Sequence, residues 1–521
     1  MKKYSTLLLL SVLLVVGLVC SCSSTPEHGK LIPKDASVVF SLNLEKAYEA
    51  SGITKEQLPV SELSKLLKES TLSAPAREKL ESIIASPEEA GIDLQEPMMV
   101  FYAPSFKSGA GVVGAVSKSA KLEELIDAMA REALCTKVAR HNDLRYTVIG
   151  DAVLAFNDDW FLLAGQWLLP GNAEETLAGM EGLFKQEEKQ SLYVSELYEK
   201  MCDCPGFFQT LVQGEGLQAM LEKEQLPMDK LMKSLPEGVA LSDFAYLTDV
   251  SMGPGEANVV GEVLPLSSGA EKFVTEAKGS TAIAGDFLKY VPANAWLILS
   301  CGIDGKPLYD QMVSDADMKA LLASNPVVQE GIEKLVPALK GDYVLALTGF
   351  VPGAYYPEGV SYAQTQNDSW LGMIEKYGAG EKFLTKKDGK NYSILVREAS
   401  ETGSGAFYVD FGSKGGVSYA LFGENPEPFK MAETPVTTLG EGCNFYFRFN
   451  VSPLLASGVL EKGFTAYEYR VAKKIIGLFD YVEAKVENNR KYSLRVVMTD
   501  ATKTPVSAVY DEVYALVKAI L

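Results

Sequence analysis

The sequence predicts an α+β protein of two related lobes, each an antiparallel sheet with packed helices, arising from an internal duplication. Three observations carry this. Residues 32–44, IPKDASVVFSLNL, recur as residues 291–303, VPANAWLILSCGI, with Pro33/Pro292, Asp35/Asn294, Ala36/Ala295, Val38/Leu297, Phe40/Leu299 and Ser41/Ser300 in one register. Runs of alternating apolar residues are separated by hairpin-length turns, as antiparallel strands require. Helical stretches are grouped between those runs instead of alternating with them one for one. At 521 residues the chain exceeds one ordinary core, and about 150 residues per domain allows two to four.

Taken in order, the first opening strand leads through residues 45–50 into helical sequence, and Pro75 occupies the first turn of a helix that places Leu80, Ile83 and Ile84 on one face. Strands follow at 98–102 and 111–116, then an amphipathic helix with Leu122, Leu125 and Ile126. Strands at 145–149, 153–156 and 160–164 come next, with Asn157, Asp158 and Asp159 as a hairpin turn. Residues 173–233 read as a long helical region interrupted at Cys204-Pro205-Gly206. Strands at 244–250 and 258–263 and a helix near 270–277 close the unit. After residue 291 the order repeats: a helix from Pro326, strands at 343–347 and 360–364, and a helix with Leu371 and Ile374. Strands at 392–396, 406–411, 417–422, 479–486 and 492–498 follow, then a last helix with Val509, Val513 and Leu516. The domain boundaries expected are 1–21 for a leader, 22–30 for an anchor and tether, 31–280 for the first lobe and 281–521 for the second. The lobes differ most at about 174–233, read as a helical insertion in the first.

Lys2 and Lys3 precede an apolar run over residues 7–19, the length of a secretory signal core and short for a bilayer span. Val19-Cys20-Ser21-Cys22 then resembles a bacterial lipoprotein signal, with Val19 at −3, Ser21 at −1 and Cys22 as the acylated residue. That resemblance implies lipid attachment at Cys22, with fatty-acyl chains of the palmitate type holding the body to a membrane it does not cross. Ser23 stands where an inner-membrane retention signal has Asp, so the expected address is the outer membrane, facing the periplasm.

The formal charge is −19, becoming −21 once Lys2 and Lys3 leave with the leader. Such a surface repels phosphate backbones and excludes nucleic acid as a partner.

Reactive constellations are sparse. Cys135, Cys202, Cys204, Cys301 and Cys443 remain after the anchor, with no C-x-x-C spacing and several possible pairings. The two histidines, His28 in the tether and His141, cannot form a paired zinc site, and no G-x-S-x-G elbow accompanies them. Gly109, Gly111 and Gly114 match a dinucleotide fingerprint in letters, but the strand-like run through them and a helix that starts only near Lys121 contradict it. Asp158-Asp159 and Asp315-x-Asp317 lack the further donors of a calcium loop. Trp160, Trp167, Trp296 and Trp370 could stack on sugars, but their apolar neighbours fit core or rim positions better. No catalytic, metal or cofactor residue is assigned.

The acylation signal, the IPKDASVVFSLNL opening and the long body after it resemble an uncharacterised lipoprotein family of Bacteroidetes-type bacteria, domain of unknown function 4836. The resemblance implies envelope localisation and supplies no activity. The expectation is a membrane-anchored envelope lipoprotein, a non-enzymatic binding or scaffolding protein with a protein or glycan partner. The alternative is an envelope hydrolase acting on glycans or cell wall through paired carboxylates, and a third reading makes the 174–233 insertion a sensor or inhibitor module.

Overall fold

Both copies of the repeated opening motif form a strand with an antiparallel neighbour on each side. The computed structural model describes residues 25–53, 67–68, 70, 72–165, 173–223, 235–236, 238–276, 279–351, 356–378, 383–399 and 405–520. These fall into two units, one running to Glu271 with Lys503–Ser507 added, the other Lys272–Thr502 with Ala508–Leu521.

The strands of the first unit are β1 (Val38–Leu42), β2 (Met98–Tyr102), β3 (Ala110–Ala115), β4 (Ala139–His141), β5 (Leu144–Ile149), β6 (Ala152–Phe156), β7 (Trp160–Gly165), β8 (Phe208–Gln213), β9 (Phe244–Gly253) and β10 (Glu256–Pro265). Their pairings give the order β10-β9-β8-β1-β2-β3-β7-β6-β5-β4, all antiparallel. Alternation decides which face packs: Val39, Met99, Phe101, Val113, Leu162 and Leu211 point into one core cluster. Its helices are α1 (Leu44–Ser51), α2 (Ala74–Ala85), α3 (Ser119–Arg131), α4 (Ala173–Phe184), α5 (Glu196–Cys202) and α6 (Gly214–Lys223). Helix α1 starts where the Asn43 side chain accepts the Lys46 amide and stops at Gly52 in the left-handed region. Helices α2 and α3 bury Leu80, Ile83, Leu125 and Met129 in a second cluster, each such side chain stabilising the fold by about 1.5–3 kcal/mol.

In the second unit the strands are β11 (Ser280–Thr281), β12 (Leu297–Asp304), β13 (Leu339–Phe350), β14 (Pro357–Thr365), β15 (Leu384–Lys386), β16 (Asn391–Arg397), β17 (Phe407–Lys414), β18 (Val417–Gly423), β19 (Phe445–Asn450), β20 (Phe479–Glu487) and β21 (Lys491–Met498). The order is β21-β20-β19-β12-β13-β14-β18-β17-β16-β15, with β11 beside β12. Its helices include α7 (Gly305–Ser314), α8 (Ala316–Ala323), α9 (Pro326–Leu335), α10 (Leu371–Gly378), α11 (Val451–Ala456) and α12 (Ala466–Ile476). Strand for strand, the chain order and the pairing order agree with the first unit. A short 3-10 helix precedes the opening strand in both, Glu27–Leu31 and Leu288–Tyr290, and each opening proline makes an isolated bridge, Pro33 to Ser191 and Pro292 to Pro435.

The α+β class holds as mixed helix and antiparallel sheet. Three local readings change. The stretch 174–233 is not one helical region: β8 crosses it and pairs with β1 and β9 at the middle of the sheet. Its sequence, FQTLVQ, lies between α5 and α6, set off from α5 by Pro205 and Gly206, and pairing across the sheet fixes it as a strand. Residues 224–233 of that reading lie outside the described residues. Residues 27–30 are not tether, since Glu27–Leu31 is helical with His28 and Leu31 buried. The Tyr198 hydroxyl donates to the Pro26 carbonyl at 2.8 Å and pins that segment. Lys503–Ser507 packs with the first unit, where the Gly255 amide donates to the Lys503 carbonyl at 2.8 Å and the Thr504 hydroxyl to the Ser51 carbonyl.

Candidate functional site

A cavity of about 790 Å³ lies wholly within the second unit. Tyr290 at the end of the preceding 3-10 helix and Pro292 and Asn294 of the opening motif form one wall, and Thr348, Val360, Tyr362 and Leu421 of β13, β14 and β18 form the floor. The segment 424–434 that leaves β18 supplies the remaining side. Tyr290, Tyr362 and Phe429 cluster with ring centroids 5.2–5.8 Å apart and bury the Tyr362 ring beneath the cavity.

Strand register shows why this space is open. Val39 pairs with Phe101, Phe101 with Gly111 and Gly111 with Ala164. Ile298 pairs with Ala346, Ala346 with Val360 and Val360 with Leu421. The sets align, so Ala103, Val113 and Ala164 correspond to Thr348, Tyr362 and Leu421, and the opening motif aligns Leu31 with Tyr290. In the first unit Leu31, Ala103, Val113 and Ala164 share one core cluster with Leu177, Met180 and Leu183 of α4. Helix α4 packs against β6, β7 and the 3-10 helix Glu27–Leu31. Between β7 and the bridging residue Ser191 the first unit has residues 166–190, whereas between β18 and Pro435 the second has only 424–434. Helix α4 alone takes 12 residues, so the shorter segment cannot supply its equivalent.

Charge divides unevenly around the cavity. Glu358, Glu424, Glu427 and Glu433 line it against the single lysine Lys430. Lys430 reaches Glu427 at 3.8 Å, and Glu358, Glu424 and Glu433 make no ion pair among the described residues. None of the four is buried. Burial pushes the Tyr362 phenol up to about 12, and its oxygen accepts the Phe429 amide at 3.2 Å. Phe429 holds φ at +58°, a conformation that costs a bulky L residue about 1–3 kcal/mol and that clusters at ligand-binding segments. Ring contacts with Tyr290, Tyr362 and Tyr419 offset that strain.

The residues singled out from sequence are scattered, and none except those of the opening motif reaches this cavity. Cys22, with the leader, and Trp167 lie outside the described residues. Cys135, Cys202, Cys204, Cys301 and Cys443 are free thiols. Burial pushes Cys202 up to about 12 and Cys204 up to about 11, which makes them poor nucleophiles. His28 is buried and neutral; His141 is half-exposed, its Nε2 3.3 Å from Glu181. Gly111 and Gly114 sit inside β3, where an added Cβ would meet the Phe101 and Phe161 rings, and α3 begins only at Ser119. Asp158 accepts from Ser119 and Arg145, and Asp315 caps α8 by accepting the Met318 amide. Trp370 donates to Ser418 and packs on Phe411, whereas Trp296 stacks on Phe350. Sequence reasoning missed Tyr290, Glu358, Tyr362 and the 424–434 segment. The unequal lengths of the two connections were the one signal that could have found them.

Among the described residues no three His, Cys, Asp or Glu side chains converge as metal ligands, and no helix is long and apolar enough to cross a membrane. Fold and cavity together define an α+β protein of helices and antiparallel sheet with an open, acid-rimmed cavity in the second unit. The chain belongs to the family described as Domain of unknown function (DUF4836), whose model matches residues 28–387. The match takes in the β13 and β14 side of the cavity and stops before β18 and the 424–434 segment. No curated protein matches the sequence. Among solved structures, crystal form I of TP0453 is similar at 9% identity, covering 47% of this chain and 80% of that one with a TM-score of 0.25. Crystal form III is similar at 8%, covering 50% and 90% with a TM-score of 0.26, values too low to carry an argument.

Proposed function

We infer that this is a lipid-anchored envelope protein of the Bacteroidetes lipoprotein type, acylated at Cys22 and held at the outer membrane facing the periplasm, whose task is to bind a partner. Its two units descend from one duplicated module, the first kept closed by α4 and the second open for a ligand. The single observation carrying the binding role is the 790 Å³ cavity at the place where the first unit packs a helix. That volume falls in the range of ligand sites. The glycan-hydrolase alternative gains nothing from the lining, because a general acid needs a buried carboxyl and all four glutamates are solvent-accessible.

Two measurements test the reading. Intact-mass and peptide analysis of the protein from its native host should show a diacylglyceryl and an acyl group on Cys22; an unmodified N-terminus removes the anchor. The mature chain immobilised on resin should retain an envelope component that the Ala432→Trp variant, with its cavity sterically filled, does not. Equal retention by both proteins, or none by either, sinks the binding site.

A further inference from the structure

We propose, resting on the reading of the cavity as the binding site, that its occupant is a basic amphipathic α-helix contributed by a protein partner. The shape argument is internal to the molecule. Helix α4 shows what this sheet face accepts: Leu177, Met180 and Leu183, at spacings of three residues, fill the first unit against Leu31, Ala103, Val113 and Ala164. Of the register equivalents, Tyr290 and Thr348 are partly exposed at the cavity, whereas Tyr362 and Leu421 are already buried in the core of the second unit, Tyr362 against the rings of Phe287, Tyr290 and Phe429, so the space left without a helix lies above that layer. A helix that lays apolar side chains into a groove at this spacing is a recurrent mode of peptide recognition.

Charge then selects which helix. Helix α4 carries Glu174, Glu175 and Glu181, so neither α4 nor its copy from a second chain suits a rim of four glutamates and one lysine. Lysine or arginine on the flanks of the incoming helix would meet Glu358, Glu424 and Glu433, which have no ion-pair partner among the described residues. Tyr290, partly exposed above the buried Tyr362 ring, is the aromatic side chain that an apolar residue of the helix would meet. Met431, 67% exposed at the rim, is the kind of unbranched side chain that adapts to a bound helix.

The probe is a fluorescein-labelled, capped 12-residue peptide of α4's length, with Leu, Met and Leu at the α4 spacing and Lys at the remaining polar positions. It is titrated by anisotropy into the mature chain carried without acyl groups. Saturable micromolar binding is expected, weakened about tenfold or more by Glu358→Lys with Glu433→Lys, and by Ala432→Trp, as loss of paired charge or of the cavity implies. A glutamate version and a proline-interrupted version should not bind. Far-UV circular dichroism and melting must match the parent for each variant; the Ala432→Trp change, on a half-buried loop residue, keeps the test alive if the double variant misfolds.

The proposal is overturned if the glutamate peptide binds equally, if the variants bind like the parent, or if equimolar spermidine displaces the peptide, which would make this a simple cation site. Self-association of the parent chain that Ala432→Trp abolishes would give the cavity to a second copy and also overturn it. Should the envelope component be retained in the cavity-dependent way described above while no peptide binds, the site stands and the helix falls. Loss of both removes both.

Discussion

Acidifying the solution from pH 7.5 to 5.0 should destabilise the first unit by about 2 kcal/mol through one side chain. His28 is 1% exposed, its Nε2 has no partner, and its other ring nitrogen donates to the Pro97 carbonyl. Burial disfavours the charged ring and pushes its pKa from 6.5 down to about 4. The unfolded chain therefore binds a proton that the fold excludes, and the stability tied to the neutral ring is complete above pH 6.5. It drains away as pH falls towards 4, reaching about 3 kcal/mol in all from a gap of roughly two and a half pKa units at 1.36 kcal/mol each. Urea denaturation of the parent and of His28→Gln at both pH values isolates this component. The parent should lose about 2 kcal/mol more than the variant over that interval. The chain has two histidines, so ring C–H resonances give a direct check, with one expected to stay constant from pH 8 to 5. Equal pH slopes for the two proteins, or a shift near pH 6.5 in the resonance that His28→Gln removes, would refute the reasoning.

Other outcomes follow from the same kind of accounting. The Asp342 carboxylate is buried and accepts the amides of Ala284, Gly285 and Asp286, so Asp342→Ala should cost the second unit about 3 kcal/mol by leaving those donors unpaired; a urea midpoint within error of the parent would contradict this. Gly111→Ala places a Cβ 2.8 Å from the Phe101 ring and 2.9 Å from Leu162, and should lower stability by about 1–3 kcal/mol in thermal melts. Cys202 and Cys204, with thiol pKa values of about 12 and 11, should alkylate with iodoacetamide at pH 8 at least about a hundredfold more slowly in the native protein than in urea, because so little thiolate is present. Mass-spectrometric time courses read that ratio, and comparable rates would deny the burial.

Much of the framework was legible because it rests on local pattern. The short apolar run at residues 98–102 and the spacing of Leu122, Leu125 and Ile126 mark a strand and a helix face, and both are found. The repeated proline opening marked the two strands that become sheet centres. Besides the short β4, β11 and β15, two strands at the sheet centres escaped: β8, lying between two helices, and β19, FYFRFN, both of which pair with the opening strands. Their strand character comes from neighbours far away in the chain, which no local window contains. His28 read as tether for the same reason, since its burial depends on packing brought by the fold around residues 97–99 and 198.

By itself, the order of amino acids determined the α+β class and the sequence of most elements. These follow from side-chain periodicity and from short contiguous patterns. Only the tertiary structure decided that α4 covers one sheet face, that its counterpart position is a cavity, and that Tyr290, Glu358, Tyr362 and Glu433 surround it. The reason is that a cavity is a property of what fails to pack. It depends on the register of strands far apart in the chain, which leaves no mark on the residues that line it, and on the length of one connection, which tells only when the two units are compared.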